Sequence, residues 1–322
     1  MSIHEFIKDS RYSNIKADIL HISPPCQYFS PAHTRNAAHD DENIFALFSC
    51  CELVKKTKPR LITLEQTFGM VHERHSIYFN ALLNDFTRLG YSVRWKIVKL
   101  CTWGLPQDRK RLIIIAAGPG EALPPFPEAT HGGNRRSFVK IHDCLKSVEV
   151  SDELHNLHSV KYHHPPRRRL DANQLSPTIT TGGVASHHPS GLRDYTLREY
   201  ANLQGFPANH QFKGTRTAIK RQIGNAFAPK TVKVLYKHLH NWLLRVDGTR
   251  EAYVNSITDL TTLSGSMFTR SMIRIQDRTS VYLSPDPSDV IDPDESCPPT
   301  PTPTRTSTAV RTGSGVVDLT SL

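Results

Sequence analysis

A cysteine directly follows two prolines in the segment DILHISPPCQYFS, residues 18–30. The apolar run before the prolines is typical of a short strand, and Pro24 and Pro25 end it with a rigid turn. Ligands and chemistry gather beyond the carboxyl ends of strands in an open α/β sheet. Cys26 is therefore a candidate nucleophile, although a lone cysteine is more often a small buried hydrophobic residue.

A carboxylate and two arginines occur at similar places along the chain. Glu65 ends the run RLITLE, residues 60–65, and the basic segment QDRKR, residues 107–111, leads into the run RLIIIAAG. Neighbouring strands would bring the thiol and the carboxyl group to one crevice. A nucleophilic cysteine needs cations that favour its thiolate, and Arg109 and Arg111 are the candidates. Taken separately, Glu65 could equally be a capping acid and QDRKR a solvated turn.

Strand-like runs alternate with helical patterns over the first 118 residues. Helical periodicity covers about residues 40–59 and 76–90, between the apolar runs. This alternation predicts an α/β fold with a parallel, doubly wound sheet. From residue 119 to about 190 the chain is turn-rich, polar and basic, which indicates a second, smaller lobe.

Helical character returns in the second half of the chain. Thr196 and Glu199 form a capping-box pattern, and an amphipathic helix follows, with its apolar face over residues 232–243. After about residue 250 the pattern fades into a region rich in Pro, Ser and Thr, which predicts disorder. We predict a partial catalytic lobe over 1–118, a small lobe over 119–218, a returning helix over 219–245 and a mostly disordered tail over 246–322.

The charge of this 322-residue chain is unevenly distributed. The formal net charge is +10, while residues 280–322 contain six acidic residues and two arginines. The remaining positive excess favours a polyanionic partner such as nucleic acid, with solubility alone as the plain alternative. No apolar run is long enough for a membrane span, and no signal-peptide pattern is present, so we predict a non-secreted protein without a membrane partner.

A group of histidines lies in the small lobe, at positions 155, 158, 163 and 164. Histidines can bind zinc, but structural zinc sites usually combine them with regularly spaced cysteines. No such cysteine spacing accompanies them here. We therefore predict no metal site.

Together these segments resemble the DNA cytosine-5 methyltransferases. Residues 18–30 match the catalytic signature of that family, and QDRKR matches its QxRxR motif. Glu65-Gln66-Thr67 stands where most members have Glu-Asn-Val, a variant similar to the fungal subgroup linked to silencing of repeated DNA. The similarity runs from about residue 17 to 245, through the segments PFPEATH, SPTITTGG, RDYTLREYANLQGFP and QIGNAFAPK.

The resemblance implies a Rossmann-like parallel-sheet methyltransferase fold with a small target-recognition lobe. It also implies methyl transfer from S-adenosyl-L-methionine to C5 of a cytosine that is flipped out of duplex DNA. In this family a cysteine thiolate adds to C6 of the base, and that role falls to Cys26. Glu65 would hold N3 and N4 of the ring, Arg111 would hold O2, and Arg109 would orient the thiol or a nearby phosphate.

Further binding residues are assigned by the same resemblance. The residues assigned to the methyl donor are Pro24, Gln66 and Asn225. The residues assigned to DNA are Gln27, Ser30, Arg35, Gln107, Thr178 and Thr180. With DNA as the substrate, we expect a nuclear location.

The sequence departs from the family at its beginning. Members start with a Gly-rich FxGxG loop near the methyl donor, whereas no glycine precedes Gly69 here. We therefore expect the first three strands and most of the cofactor pocket to be absent, and the apolar face of residues 232–243 to lose part of its partner.

Several alternatives stay open. The chain could be an incomplete form of an active enzyme, one half of a split enzyme completed by a second polypeptide, or a degenerate relative that binds DNA without catalysis. Methylation of tRNA by a similar enzyme is less favoured, because the Cys-Phe-Thr motif of that branch does not occur here.

The tail contains a short apolar segment, Val316-Val317-Asp318-Leu319-Thr320, that resembles a SUMO-interacting motif. Such a segment binds by adding a strand to the sheet edge of its partner, here through Val316, Val317 and Leu319. Val317→Ala should then abolish SUMO binding in a pull-down assay. Short motifs of this kind also arise by chance, and unchanged binding of the variant would remove the idea.

Overall fold

The computed structural model describes residues 3–12, 15–30, 40–181 and 187–263. At its centre lies a four-stranded sheet with the strand order β1-β2-β4-β3. The strands are β1 (Ile19–Ile22), β2 (Leu61–Thr67), β3 (Ser92–Lys99) and β4 (Lys110–Ala117). β1 is an edge strand, preceded by helix α1 (Ile3–Lys8) and a 3-10 turn at Ser10–Tyr12.

The sheet is mixed, which corrects the expectation of a parallel sheet. β1 pairs with β2 in parallel, whereas β2 with β4 and β3 with β4 are antiparallel. The parallel pair has a crossover helix between its strands, α2 (Asp40–Thr57). β3 and β4 are joined by residues 100–109 without a crossover helix, and such a short connection permits only the antiparallel arrangement.

Helices cover both faces of the sheet, as the alternation along β4 shows. Leu112, Ile114 and Ala116 pack in the cluster formed with α2 and α3 (Ser76–Arg88). Ile113, Ile115 and Ala117 point the other way and pack against α7 (Pro229–Leu263). Because successive side chains of a strand face opposite sides, one continuous apolar run supplies two cores.

Three leucines of the apolar face of α7 are buried, so the prediction that the face of residues 232–243 loses part of its partner is wrong for them. Leu235, Leu239 and Leu243 recur every fourth residue and pack on the sheet. The helix also continues to Leu263, well beyond the predicted end at 245. Asp247 binds Arg60 at 2.5 Å and so ties this extension to the start of β2. The rest of the predicted tail, including the SUMO-like segment, lies outside the described residues.

The small lobe contains three short helices, α4 (Ile141–Leu145), α5 (Leu197–Leu203) and α6 (Arg216–Asn225). The predicted capping box of α5 is confirmed, because Thr196 Oγ1 accepts from Glu199 N and Glu199 Oε2 accepts from Thr196 N. α6 contributes two buried isoleucines to the core of this lobe. The chain therefore returns to the main sheet only after Asn225, whereas the predicted boundary at 218/219 falls inside α6.

Within the described ranges, no helix combines the length and apolar character that a membrane crossing requires. Over the same ranges, no three His, Cys, Asp or Glu side chains are grouped as metal ligands would be. Two of the small-lobe histidines instead bond to neighbours: His155 to Thr196 and His163 to Asp194.

Candidate active site

Three segments that are distant in sequence meet at one edge of the sheet. Because β1 and β2 are parallel, their carboxyl ends lie together, and the turn with Cys26 comes next to Glu65. β4 is antiparallel to β2 and therefore starts at this same edge, which brings Arg109 and Arg111 there. The charges of Glu65 and both arginines all act on the Cys26 thiol. The structure thus brings together the four residues that the sequence assigns to catalysis.

Glu65 is held by one neighbour on each carboxylate oxygen. Its Oε1 lies 2.8 Å from Arg111 Nε. Its Oε2 accepts a hydrogen bond of 3.0 Å from Ser23 Oγ. Glu65 is only 6% exposed, and a buried carboxylate needs such donors to remain in place.

Cys26 is a free, half-buried thiol. Burial raises its pKa above the ordinary value of 9.0, and this effect outweighs the lowering by the Arg111 and Arg109 charges, while Glu65 raises it further. The two arginines thus favour the thiolate as expected, but burial outweighs them, and the protonated thiol predominates in the free protein at neutral pH.

Alkylation should reveal this raised pKa. Iodoacetamide should label Cys26 slowly at neutral pH and faster as the pH rises past 9, because only the thiolate reacts. Mass spectrometry of the Cys26 peptide against a model cysteine peptide measures the shift. Burial raises the pKa of Cys50 to about 12 and that of Cys144 to about 11, so both should remain unlabelled as internal controls. A labelling midpoint for Cys26 below that of the model peptide would contradict the prediction.

Gln66 fixes the turn before the thiol. Its Nε2 donates to the carbonyls of Pro24 at 3.3 Å and Pro25 at 3.4 Å, and its Oε1 accepts from Thr67 N at 2.7 Å. Gln66 is 0% exposed. This burial contradicts the predicted contact between Gln66 and the methyl donor, and the residue instead positions the two prolines.

An aromatic cluster fixes the chain after the thiol. Phe29 is fully buried, and its ring centroid lies 5.3 Å from that of His75 and 5.8 Å from that of Tyr78. The Tyr28 ring lies 5.2 Å from the His75 ring. Edge-to-face contacts of this kind stabilise their arrangement beyond the area that they bury. The nucleophile turn is thus anchored on both sides.

The predicted DNA contacts of this loop differ in accessibility. Gln27 is exposed, and Ser30 is partly exposed. The Ser30 backbone bonds to Gln27 O and accepts from Arg74 Nη2. Arg35 lies outside the described residues.

Arg109 links the main sheet to the small lobe. The residue is 2% exposed, and its guanidinium donates to Ile179 O at 2.8 Å and to Gly224 O at 3.3 Å. Burial, followed by the charge of Arg111, lowers its pKa to about 9, so that it stays mostly charged at neutral pH. These bonds correct one of the two expected roles of Arg109, because a guanidinium that is buried between the lobes cannot reach a phosphate. Its other expected role, orienting the Cys26 thiol, stays a prediction.

Gln107 makes a second link of the same kind. Its Nε2 donates to Leu203 O and to Gln204 Oε1, and its Oε1 accepts from Ile179 N at 2.9 Å. The residue is 0% exposed. A DNA contact by this amide is incompatible with that burial.

The two small-lobe threonines also differ. Thr178 is half-buried and donates to Asp108 O at 2.6 Å, so its hydroxyl is used within the protein. Thr180 is exposed, while its carbonyl accepts from the Tyr200 hydroxyl. Thr180 therefore remains a candidate for DNA contact.

Three contributors to this site are missing from the sequence-based assignment: Ser23, Gln204 and Gly224. Ser23 could have been found from the strand register, because it follows β1 at the position opposite Glu65. Gln204 donates to Ala226 O at 2.9 Å, and no sequence pattern predicts this bond. A Cβ on Gly224 would lie 2.7 Å from Thr181 N, a close approach that only the structure reveals.

Comparison with known proteins shows the family to which the chain belongs. A family model for the C-5 cytosine-specific DNA methylases matches residues 2–168 and 130–241. The chain is 27% identical over 234 residues to the type II methyltransferase M.BsuFI of Bacillus subtilis, which covers 68% of this chain and 56% of the relative. It is 26% identical to M.NgoFVII of Neisseria gonorrhoeae, covering 69% of each protein.

Solved structures show the same fold. An Escherichia coli prophage protein described as a DNA modification methyltransferase superposes with a TM-score of 0.52 at 22% identity, covering 76% of this chain and 85% of that one. The chain thus shares the fold of that protein. The chain belongs to the C-5 cytosine-specific DNA methylase family. It spans just over half the length of the B. subtilis relative.

The family implies S-adenosylmethionine as the methyl donor, and the described residues fit it only in part. The Gln66 side chain is buried and bonds to the proline turn. Pro24 is also buried, and its carbonyl accepts the hydrogen bond from Gln66. Of the three assigned residues, Asn225 at the end of α6 is the one with an exposed side chain. The three assigned residues therefore do not by themselves form the cofactor site.

Proposed function

We propose that this protein is a DNA cytosine-5 methyltransferase whose described residues form the cytosine-binding, nucleophilic part of the active site. The observation that carries this proposal is the buried Glu65–Arg111 pair, 2.8 Å between Oε1 and Nε, beside a free thiol. A thiol, a carboxylate and a guanidinium at one sheet edge supply the nucleophile and the polar contacts that addition to a cytosine ring requires.

In the proposed reaction, Cys26 first loses its proton to water and then its sulfur forms a bond to C6 of the base. The electron pair of the C5=C6 bond moves to C5, which becomes nucleophilic. Glu65 stabilises the charge that develops at N3 and N4, and Arg111 holds both Glu65 and the base O2. S-adenosylmethionine, when bound, supplies an electrophilic methyl group for C5. Loss of the C5 proton to water then restores the C5=C6 bond and breaks the bond between C6 and Cys26, which releases the base.

The accessible residues support a DNA substrate. Gln27 beside the nucleophile and Thr180 in the small lobe are both exposed. The positive net charge of the chain favours binding to phosphates. C5 and C6 of a paired cytosine are inaccessible, so the base must leave the duplex to reach Cys26. With DNA as the substrate, we propose a nuclear protein.

Two partners belong to the same proposal. A second polypeptide, or a further segment of a longer chain, would complete the cofactor site, because Asn225 alone cannot hold the methyl donor. The second proposed partner is SUMO, on the basis of the sequence pattern around Val317. This segment lies outside the described residues.

Exchange of the C5 hydrogen tests the proposal without the methyl donor. Addition of Cys26 to C6 lets C5 take a proton from water, and reversal then releases the original hydrogen. Duplex DNA labelled with tritium at C5 of cytosine should therefore lose tritium to water when the protein is added. Salt-dependent DNA binding without tritium release would contradict the enzyme and support a DNA-binding protein. Faster release from tRNA than from duplex DNA would identify RNA as the substrate.

A further inference from the structure

Ser23 occupies a particular position relative to the carboxylate of the proposed active site. β1 and β2 are parallel with Ile22 opposite Leu64, so the next residues, Ser23 and Glu65, are neighbours across the sheet. The Ser23 hydroxyl donates to Glu65 Oε2 at 3.0 Å. The resemblance and the mechanism assign no role to this serine.

The backbone of Ser23 is fixed by its neighbours on both sides. Pro24 and Pro25 have restricted φ angles, and both of their carbonyls accept from Gln66. The preceding residue, Ile22, is buried in the core. The hydroxyl therefore approaches Glu65 from a rigid support, as an orienting group must.

The two bonds to Glu65 have different consequences. Arg111 fixes Oε1, but one contact leaves the carboxylate free to turn about its last side-chain bond. The hydroxyl of Ser23 on Oε2 removes that freedom. A carboxylate oxygen has two lone pairs, so Oε2 can accept from Ser23 and still face a base.

We propose that Ser23 is a positioning residue, whose hydroxyl orients the Glu65 carboxylate toward the flipped cytosine. This inference rests on the proposed function and adds to it the group that sets the direction of the carboxylate. Ser23 acts through Glu65 and makes no contact with the nucleophile in the described structure.

The test is the rate of tritium release from C5-labelled duplex DNA, measured as kcat and KM for three Ser23 forms. Ser23→Ala should lower kcat by roughly 10-fold, because a hydrogen bond to a charged group is lost, with KM for DNA unchanged. Ser23→Thr keeps the hydroxyl, and its additional methyl group has room because Ser23 is exposed. This variant should restore kcat to within about 3-fold of the wild type. Ser10→Ala, at another exposed serine, is the matched control and should have no effect.

A double-mutant cycle separates positioning from a general structural effect. Glu65→Asp keeps the charge but withdraws the carboxylate by about one C–C bond, ~1.5 Å, out of reach of Ser23. Ser23→Ala should then change kcat by less than about 2-fold in the Glu65→Asp protein. An undiminished 10-fold loss there, or a Ser23→Ala protein as fast as the wild type, would overturn the positioning role. Absence of release from the wild type would instead overturn the proposed function, and the inference with it.

Discussion

Cys26→Ala should abolish tritium release from C5-labelled DNA, with a loss of at least about 10³-fold, because no other group can take over the bond to C6. Cys26 is the thiol on which the charges of Glu65, Arg111 and Arg109 act, so it is the one placed to attack a base at this site. In the presence of the methyl donor and of any partner needed to bind it, 5-fluorocytosine DNA should trap a covalent adduct on the wild type and none on the variant. Both results depend on the same sulfur–carbon bond.

Cys51→Ala is the matched control for this experiment. Cys51 is also a free, half-buried thiol whose pKa is raised by burial, but it lies on α2, with Asp85, Lys55 and Glu52 as its charged neighbours. This variant should release tritium at the wild-type rate. DNA binding should survive in Cys26→Ala, since the thiol contributes no charge to phosphate binding. Tritium release that persists in Cys26→Ala would show that Cys26 is not the nucleophile.

The convergence of Cys26 and Glu65 was predictable from the sequence, because both follow apolar strand patterns and the carboxyl ends of parallel strands meet at one edge of a sheet. Arg111 begins its strand, so a parallel sheet would have placed it at the opposite edge. It reaches the site because β4 is antiparallel to β2, and only the QxRxR motif pointed to it. Pattern and motif together therefore locate the site without any knowledge of side-chain contacts.

The error over Gln66 has an equally simple cause. Successive residues of a strand face opposite sides of the sheet, so Gln66 must point away from the side that Glu65 faces. The buried amide accordingly reaches the Pro24 and Pro25 carbonyls. The alternation of side chains along the strand can be read from the sequence. The hydrogen bonds from Gln66 to the proline carbonyls cannot.

The roles of Gln107 and Arg109 could not be read from the sequence. Both residues precede or begin the run that forms β4, where strand periodicity gives no direction for a side chain. Their partners Ile179, Leu203 and Gly224 lie far along the chain, in a lobe whose irregular sequence predicts no packing. The resemblance assigns Gln107 to DNA, whereas the fold uses it to join two lobes.

This joint predicts the second large effect, that of Gly224→Ala. A Cβ at position 224 would lie 2.7 Å from Thr181 N and 2.8 Å from the carbonyl carbon of Thr180. These are backbone atoms, and hydrogen bonds prevent residues 179–181 from moving away. Gln107 and Arg109 bond to the Ile179 backbone, and the Tyr200 hydroxyl bonds to the Thr180 carbonyl. We expect a loss of about 1–3 kcal/mol in unfolding free energy, as for other overpacked sites.

Thermal unfolding measures this loss, at roughly 2–4 °C for each kcal/mol in a protein of this size. Gly248→Ala is the matched control, because a Cβ there meets nothing within 4 Å and the residue also lies in a helix, α7. Alanine favours a helix over glycine by about 1 kcal/mol, so this control should raise the unfolding temperature. Equal unfolding temperatures for the two variants would contradict the prediction, because they would show that the backbone at Thr180 moves to accommodate the added methyl group. Opposite shifts would instead show that the segment at Thr180 is held rigidly against α6.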